Sequence, residues 1–300
     1  MSAIIHTPVM VKEILDYLQP QPDGVYVDCT VGTGGHTVAL LKNAPPGVSV
    51  VGIDRDTEAL ATARGRLHQF SNRYRLVKSN FTGIDDVLNT LKIKSIQGLL
   101  YDLGVSSLQF DEQERGFTLH GTSQLDMRMD QQQSLTAADI LSSASMSELE
   151  HIFLTYGEER WARRMAEFIV RERDEGSILS ADQLVDTLKR AVPAHFRRGK
   201  KYHFATRVFQ ALRIAVNDEL SNLETALPAG VKRLAPGARL CVLSYHSLED
   251  RIVKNYFRKA EGCELRILTK RVLRPSPEEM RENPSSRSAK LRVAEKICHD

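Results

Sequence analysis

An α/β fold, a mostly parallel sheet interrupted by an all-helical insertion, is predicted by three features of the chain. The first hundred residues alternate short apolar runs with helical patterns. A glycine turn, Gly32-Thr33-Gly34-Gly35, follows the acidic end of one apolar run and precedes a helical pattern. From Gln109 to about Lys201 the strand rhythm disappears and helical periodicities take over.

Taken in order, the first strand is expected over Val25–Cys29, with Asp28 near its tip. A helix near Thr37–Lys42 follows the glycines, and a second strand over Val48–Ile53 runs into Asp54. A helix over Thr57–His68 leads to a strand over Tyr74–Lys78, with Asn80 and Phe81 just beyond it. A helix over Ile84–Leu91 precedes the fourth strand, Gly98–Leu103, which carries Asp102. Ligands of open parallel sheets bind at the carboxyl ends of the strands, where strand order reverses. Gly32–His36, Asp54, Asn80–Phe81 and Asp102 all fall at such ends.

The insertion shows helical patterns at Ser147–Thr155 and Glu158–Arg173, the latter with Trp161, Met165, Phe168 and Ile169. These apolar residues are read as core in preference to base-stacking platforms. Ser180 and Gln183 have capping-box spacing ahead of Leu184 and Leu188. A single long helix is expected over Thr206–Leu227, with Phe209, Leu212, Val216, Leu220, Leu223 and Leu227 along one stripe. Pro236-Gly237 then turns into a strand over Arg239–Ser244, with His246 at its tip and Ser247 and Asp250 placed to cap the next helix. Glu264–Thr269 and Ala289–Ile297 alternate like an antiparallel pair at the sheet edge; between them, from Asn283, lies a polar loop with little reason to fold alone. The domain boundaries expected are 1–108 with 205–300 for the sheet and 109–204 for the insertion.

The cofactor is narrowed by spacing. A dinucleotide fingerprint reads G-x-G-x-x-G, with a small third residue for helix–strand packing. Counting from Gly32 the chain reads G-T-G-G-H-T, so Thr37 occupies the third place. The acidic residue before the glycines suits a cationic amino group or the bracing of loop amides. Asp54, about twenty residues beyond the turn, stands where a carboxylate grips ribose hydroxyls. S-adenosyl-L-methionine, with an amine and no pyrophosphate, fits this pattern better than a nicotinamide.

With 26% charged and 42% hydrophobic residues, the composition is that of a globular protein. No apolar run is long enough to span a bilayer and no secretory signal is visible, so a cytoplasmic protein without membrane partners is expected. Cys29, Cys241, Cys263 and Cys298 lie far apart, which excludes a local zinc motif and agrees with a reduced compartment. The net charge is only +3, yet His195–Asn217 holds six Lys or Arg and no acid, and Asp250–Asp300 holds thirteen basic residues against eight acidic. Such clusters suit phosphate contacts, or a solvated basic surface.

Ten segments together, HTPVM, DCTVGTGGH, VGIDRD, DLGVSS, ERGFTL, LDMRMD, YGEERWARR, ATRVFQALRIAVNDEL, SYHSLEDRIVK and NPSSRSAKLR, resemble the bacterial 16S rRNA (cytosine-N4)-methyltransferases of the RsmH (MraW) type over nearly the full length. The resemblance implies a class I S-adenosylmethionine-dependent methyltransferase sheet with an inserted substrate-recognition domain. It implies methyl transfer to N4 of cytidine 1402 in 16S rRNA, within the small ribosomal subunit, with a homodimer left open. Two departures are visible. Leu108-Gln109-Phe110 replaces a run that usually carries a proline, and Phe204 replaces the proline of the usual His-Pro-Ala-Thr-Arg.

Carried over, the family's cofactor contacts fall on Gly34, Gly35, His36, Asp54, Phe81, Asp102 and Gln109. Asp102 is the candidate catalytic acceptor for the N4 hydrogens, or is engaged with the cofactor. His246 is a second catalytic candidate, for orienting the base or taking its proton, with a local structural hydrogen bond as the alternative. Arg128, Arg197, Arg198, Arg287 and Arg292 are candidates for holding RNA phosphates, and no metal is expected. Methylation at cytosine C5 needs a thiolate; the loop after the fourth strand has no cysteine, which favours an exocyclic amine acceptor.

Overall fold

The computed structural model describes residues 7–176, 178–197 and 203–298. The chain divides into two compact units, Met1–Ser106 with Leu220–Asp300, and Ser107–Glu219.

The first unit is built on β1 (Val25–Asp28), β2 (Ser49–Asp54), β3 (Tyr74–Lys78), β4 (Ile96–Asp102), β5 (Leu234–Ser244), β6 (Leu265–Ile267) and β7 (Lys290–Lys296). They form one sheet in the order β3-β2-β1-β4-β5-β7-β6. The first five strands are parallel, and β7 runs antiparallel to both β5 and β6. This is a class I methyltransferase sheet, with the edge pair where the alternating tail segments placed it. Strand order reverses between β1 and β4, so their tips, Asp28 and Asp102, flank the crevice that such a reversal opens.

Alternate side chains of each strand enter opposite cores, as the two-residue period requires. Tyr26, Val50 and Leu100 join Ile14 and Leu18 of α1 (Val11–Leu18), Leu40 and Leu41 of α2 (Gly35–Asn43), and Ala63 and Leu67 of α3 (Thr57–Leu67). Val27, Val51, Leu99 and Tyr101 join the other cluster, which includes Val87 and Leu88 of α4 (Ile84–Thr90). Asp56 caps α3 by accepting from the Glu58 and Ala59 amides at 3.0 and 3.3 Å, one reason the helix begins there.

The second unit contains α5 (Ser107–Asp111), α6 (Ala137–Ser143), α7 (Met146–Gly157), α8 (Ala162–Glu175), α9 (Ala181–Ala191), α10 (Ala194–Arg197) and α11 (Thr206–Asn217). Reciprocal capping boxes open α6 (Thr136 with Asp139), α7 (Ser145 with Glu148) and α9 (Ser180 with Gln183). α7 packs on α8 and α11, and α8 packs on α9.

The chain returns to the sheet through α12 (Glu219–Arg233), α13 (Ser247–Ala260) and α14 (Pro277–Glu282). The single helix expected over Thr206–Leu227 is thus two. Asp218 adopts a left-handed conformation (φ 48°), and Arg213 clamps Glu219 across the break with bonds of 2.8 and 2.9 Å. α11, expected to belong with the sheet from residue 205, packs on α7, and the sheet's compact unit resumes at Leu220. Likewise the Glu158–Arg173 pattern starts late, because Glu158 (φ 47°) ends α7 in a left-handed cap. Met165 and Ile169 are buried as expected, whereas Trp161 and Phe168 are only half-buried, with arginine guanidinium groups over their rings. Pro236-Gly237 forms a bulge within β5, Gly237 taking φ +77°, where five residues separate two register points that are two apart on β4. The loop after Asn283 is ordered: Pro284–Ser288 is a 3-10 turn, Ser286 is buried, and the Asn283 amide donates to the Thr7 carbonyl at 2.9 Å.

Candidate active site

The tips of β1, β2 and β4 each present a carboxylate, and each has a different set of partners. Asp54 ends β2. Its Oδ2 accepts from the Gly32 amide at 2.8 Å and its Oδ1 from the Asp56 amide at 2.9 Å. Burial raises its carboxyl above the ordinary value, and those two amides pull it back down. A carboxylate offers about four lone-pair positions, so two remain for a ribose. Asp54 therefore ties the glycine turn to its own loop while keeping acceptor capacity.

Asp28 is buried behind the turn. Its Oδ2 accepts from the Thr37 hydroxyl at 2.8 Å and its Oδ1 from the Thr30 amide at 3.3 Å. Of the two roles open to it from sequence, it takes the bracing one. Burial pushes its carboxyl up to about 6, opposed by His36 and by the Thr37 hydroxyl.

The glycines between these acids are needed for shape. Gly34 caps α2 with φ +82°, and a Cβ on it would lie 3.3 Å from the Ala63 Cβ. Gly35 lies under the N-terminal segment, where a Cβ would meet Pro8 at 3.1 Å. No side chain caps this helix N-terminus. Its backbone amides suit the carboxylate of an amino-acid moiety. Phe81, half-buried after β3, meets Tyr101 edge-on at 5.8 Å between ring centroids, while the Asn80 side chain accepts from the Thr82 amide at 3.1 Å. A half-buried aromatic ring after β3, a carboxylate with free acceptor capacity at the β2 tip and an uncapped helix start are a set that S-adenosyl-L-methionine fits.

Asp102 ends β4 and is held on three sides. Its amide donates to the Thr30 hydroxyl at 2.6 Å, its Oδ1 accepts from the Tyr245 hydroxyl at 2.7 Å, and its Oδ2 lies 3.4 Å from His36 Nδ1. His36 Nε2 lies 2.8 Å from the Val9 carbonyl, which can only accept, so that nitrogen bears a hydrogen. Nδ1 then faces a carboxylate oxygen, a contact that is favourable with a proton on one partner or the other. Burial raises the Asp102 carboxyl, and His36 and Tyr245 lower it. Even so, the side chain keeps 24% exposure, enough for one edge to reach a ligand.

His246 is placed differently from a free base. It is the N-cap of α13, displacing Ser247 from that expected role: Nδ1 accepts from the Glu249 amide at 3.4 Å while Glu249 Oε2 accepts from the Tyr245 and His246 amides at 2.8 and 3.2 Å. Nε2 lies 3.2 Å from Glu249 Oε1. Tyr245, its neighbour, was not among the residues singled out from sequence, yet its hydroxyl meets Asp102. Only the fold reveals it: Asp102 pairs in register with Leu243, so the residue two beyond Leu243 shares its side of the sheet at the β4 tip.

Among the arginines, Arg128 is committed inside its own loop. It forks onto both oxygens of Asp126 at 2.7 Å and also donates to the Gln131 and Gln133 carbonyls. Arg292 on β7 grips Asp250 on α13 in the same bidentate way, at 2.7 and 3.2 Å. In both, the guanidinium is already paired with a carboxylate, which leaves it fewer donors for the phosphate contact expected from sequence. Arg287 is exposed, and Arg197 lines an open cleft with Lys189 and Arg190. Gln109 is buried on α5 of the helical unit. Arg198, with Lys200 and Lys201, lies outside the described residues. Cys29 and Cys241 are buried with their thiols pushed well up by burial, which leaves no nucleophilic thiolate at these positions.

A family model described as the MraW methylase family matches residues 3–297. The chain belongs to the MraW methylase family. Among its relatives, the ribosomal RNA small subunit methyltransferase H of Heliobacterium mobile is 48% identical over 309 residues, covering 97% of this chain and 99% of the relative. The proteins of the same name from Halothermothrix orenii and Thermotoga neapolitana are 47% and 48% identical, covering 98% and 97% of this chain and 99% and 96% of theirs. The family's methyl donor, S-adenosyl-L-methionine, agrees with the donor and acceptor set at the strand tips. No helix among the described residues is long and apolar enough to cross a membrane.

Proposed function

We propose that this chain methylates N4 of cytidine 1402 in 16S rRNA, in the cytoplasm and on the small ribosomal subunit. The reading is carried by Asp102, an oriented and partly exposed carboxylate beside the β1/β4 crevice of a methylase-family sheet. When bound, S-adenosyl-L-methionine supplies an electrophilic methyl group. Gly34, Gly35 and His36 would hold its amino-acid end through backbone amides, Asp54 its ribose, and Phe81 its adenine face.

A cytosine amine that gains a methyl group gives up a proton, and its lone pair is conjugated with the ring. The Asp102 carboxylate accepts from the amine, localises that pair and takes the proton. The absence of a thiolate among Cys29 and Cys241 supports an exocyclic nitrogen over C5. His246 contributes by fixing the tip of β5. Arg197 on the helical unit and Arg287 on the sheet unit are the candidate phosphate contacts. The target base must be unpaired or flipped out to reach the crevice.

Mass mapping of 16S rRNA from a strain lacking the protein tests the assignment. The N4-methyl mark should be missing at cytidine 1402 and nowhere else, and purified protein should restore it in small-subunit particles. A fully marked cytidine 1402 in that strain overturns the reading.

A further inference from the structure

We infer that Tyr245 is a positioning residue for methyl transfer: its hydroxyl, donating to Asp102 Oδ1, fixes the rotamer of Asp102 and keeps it a carboxylate. The inference rests on the acceptor role given to Asp102 above. It adds a residue of the β5 tip that the motif comparison passes over in favour of the neighbouring histidine.

The geometry is specific. Tyr245 lies just beyond β5, its amide held at 2.8 Å by Glu249, and its ring reaches the neighbouring strand tip with a 2.7 Å hydrogen bond. A hydrogen bond to an ionised acceptor is among the strong ones. Burial and the nearby Asp102 charge push the phenol well above its ordinary value, so it remains a donor at any working pH. Its partner across the carboxylate is His36, anchored on Val9. One side chain from α2 and one from the β5 tip thus hold the two carboxylate oxygens, leaving rotation about the Asp102 side chain blocked at both ends.

Burial is the largest influence on the Asp102 titration, and four groups modulate it. His36 on α2 and Tyr245 favour the charged form; Glu249 on α13 and Asp28 on β1 are like charges that oppose it. Removing the tyrosine hydroxyl deletes one favourable partner and leaves both unfavourable ones. The carboxyl then titrates at higher pH, and a smaller fraction is available as an acceptor near neutrality. Phenylalanine keeps the ring and its packing.

The test is Tyr245→Phe with three readouts. In methyl transfer to small-subunit particles, kcat should fall about 10- to 100-fold, the loss of one charged hydrogen bond, with KM changed less than about threefold. The acid limb of the kcat–pH profile should move up by about one unit or more. The Asp102 carboxyl, followed by 13C NMR with Asp102→Asn to assign it, should show the same upward shift. His36→Gln, which removes the opposite partner, should move that midpoint in the same direction. An Asp102 midpoint identical in the parent and Tyr245→Phe overturns the inference, as does a kcat loss whose acid limb stays in place. If the parent itself transfers no methyl group to rRNA, the acceptor reading fails, and the NMR midpoint still decides the role of Tyr245.

Discussion

The Thr37 hydroxyl donates to Asp28 Oδ2 at 2.8 Å, joining the first turn of α2 to the tip of β1 beneath the glycine turn. Thr37 is the residue whose size spoils the dinucleotide fingerprint. In this fold it spends its hydroxyl on the strand's own carboxylate, so the position that packing would assign to glycine or alanine is filled by a hydrogen bond. Because Asp28 is buried, this contact carries a pH signature. Its carboxyl titrates near 6 in the folded protein against about 4 when unfolded. Between those values the folded state binds the extra proton, so this group's contribution to stability falls as pH rises from about 4 to 6 and is level above that. The size is about 3 kcal/mol. Asp28→Asn should remove the effect. Urea melts of both proteins should show the parent losing ground to the variant across that window, and a constant difference from pH 4 to 7 would count against it.

Asp54 makes a separate prediction, because both of its oxygens serve the loops around the cofactor. In Asp54→Asn the side-chain amide must face either the Gly32 or the Asp56 amide, donor against donor. S-adenosyl-L-methionine should bind about 10- to 100-fold more weakly by calorimetry, the range for losing a hydrogen bond to a charged group. Unaltered affinity would mean that the glycine turn does not depend on this carboxylate.

The placement of the candidate carboxylates was legible in the sequence, and what was not has physical reasons. Asp54 and Asp102 stand at strand tips because an apolar run that ends in a polar residue marks a strand's end whatever its neighbours do. The break at Asp218 was invisible because the apolar stripe continues through it; only the left-handed residue and the Arg213–Glu219 clamp reveal it. Tyr245 was hard to find because its contact depends on which strand tips are adjacent. Sequence order does not give that: β5 neighbours β4 from more than a hundred residues away. Arginines were the least legible. A guanidinium reads the same in sequence whether a phosphate or an aspartate awaits it.

Asp102→Asn keeps the size of the side chain and removes its charge. Methyl transfer should fall by about 10²- to 10⁴-fold, the range for an acid–base group, while S-adenosyl-L-methionine affinity changes little. Single-turnover kinetics beside calorimetry separate the two effects. A parallel loss of binding would assign Asp102 to the cofactor instead.

Arg292 and Arg287 separate structure from recognition within one basic tail. Arg292 forks onto Asp250, with side chains 12% and 19% exposed, and so links β7 to α13. Arg292→Ala leaves Asp250 without its partner and should destabilise the fold by about 1–3 kcal/mol, between the values for exposed and buried pairs. Its effect on RNA affinity should be no larger than the fraction unfolded. Arg287 is exposed on the 3-10 turn after Asn283 and has no ion pair in the described structure. Arg287→Ala should leave the melting temperature alone. If Arg287 meets a phosphate, the variant also lowers the slope of log K against log salt for RNA binding by about 1, one counterion fewer released. Thermal melts and a salt titration of each variant decide the pair. A changed salt slope for Arg292→Ala with unchanged stability would return that residue to the RNA surface.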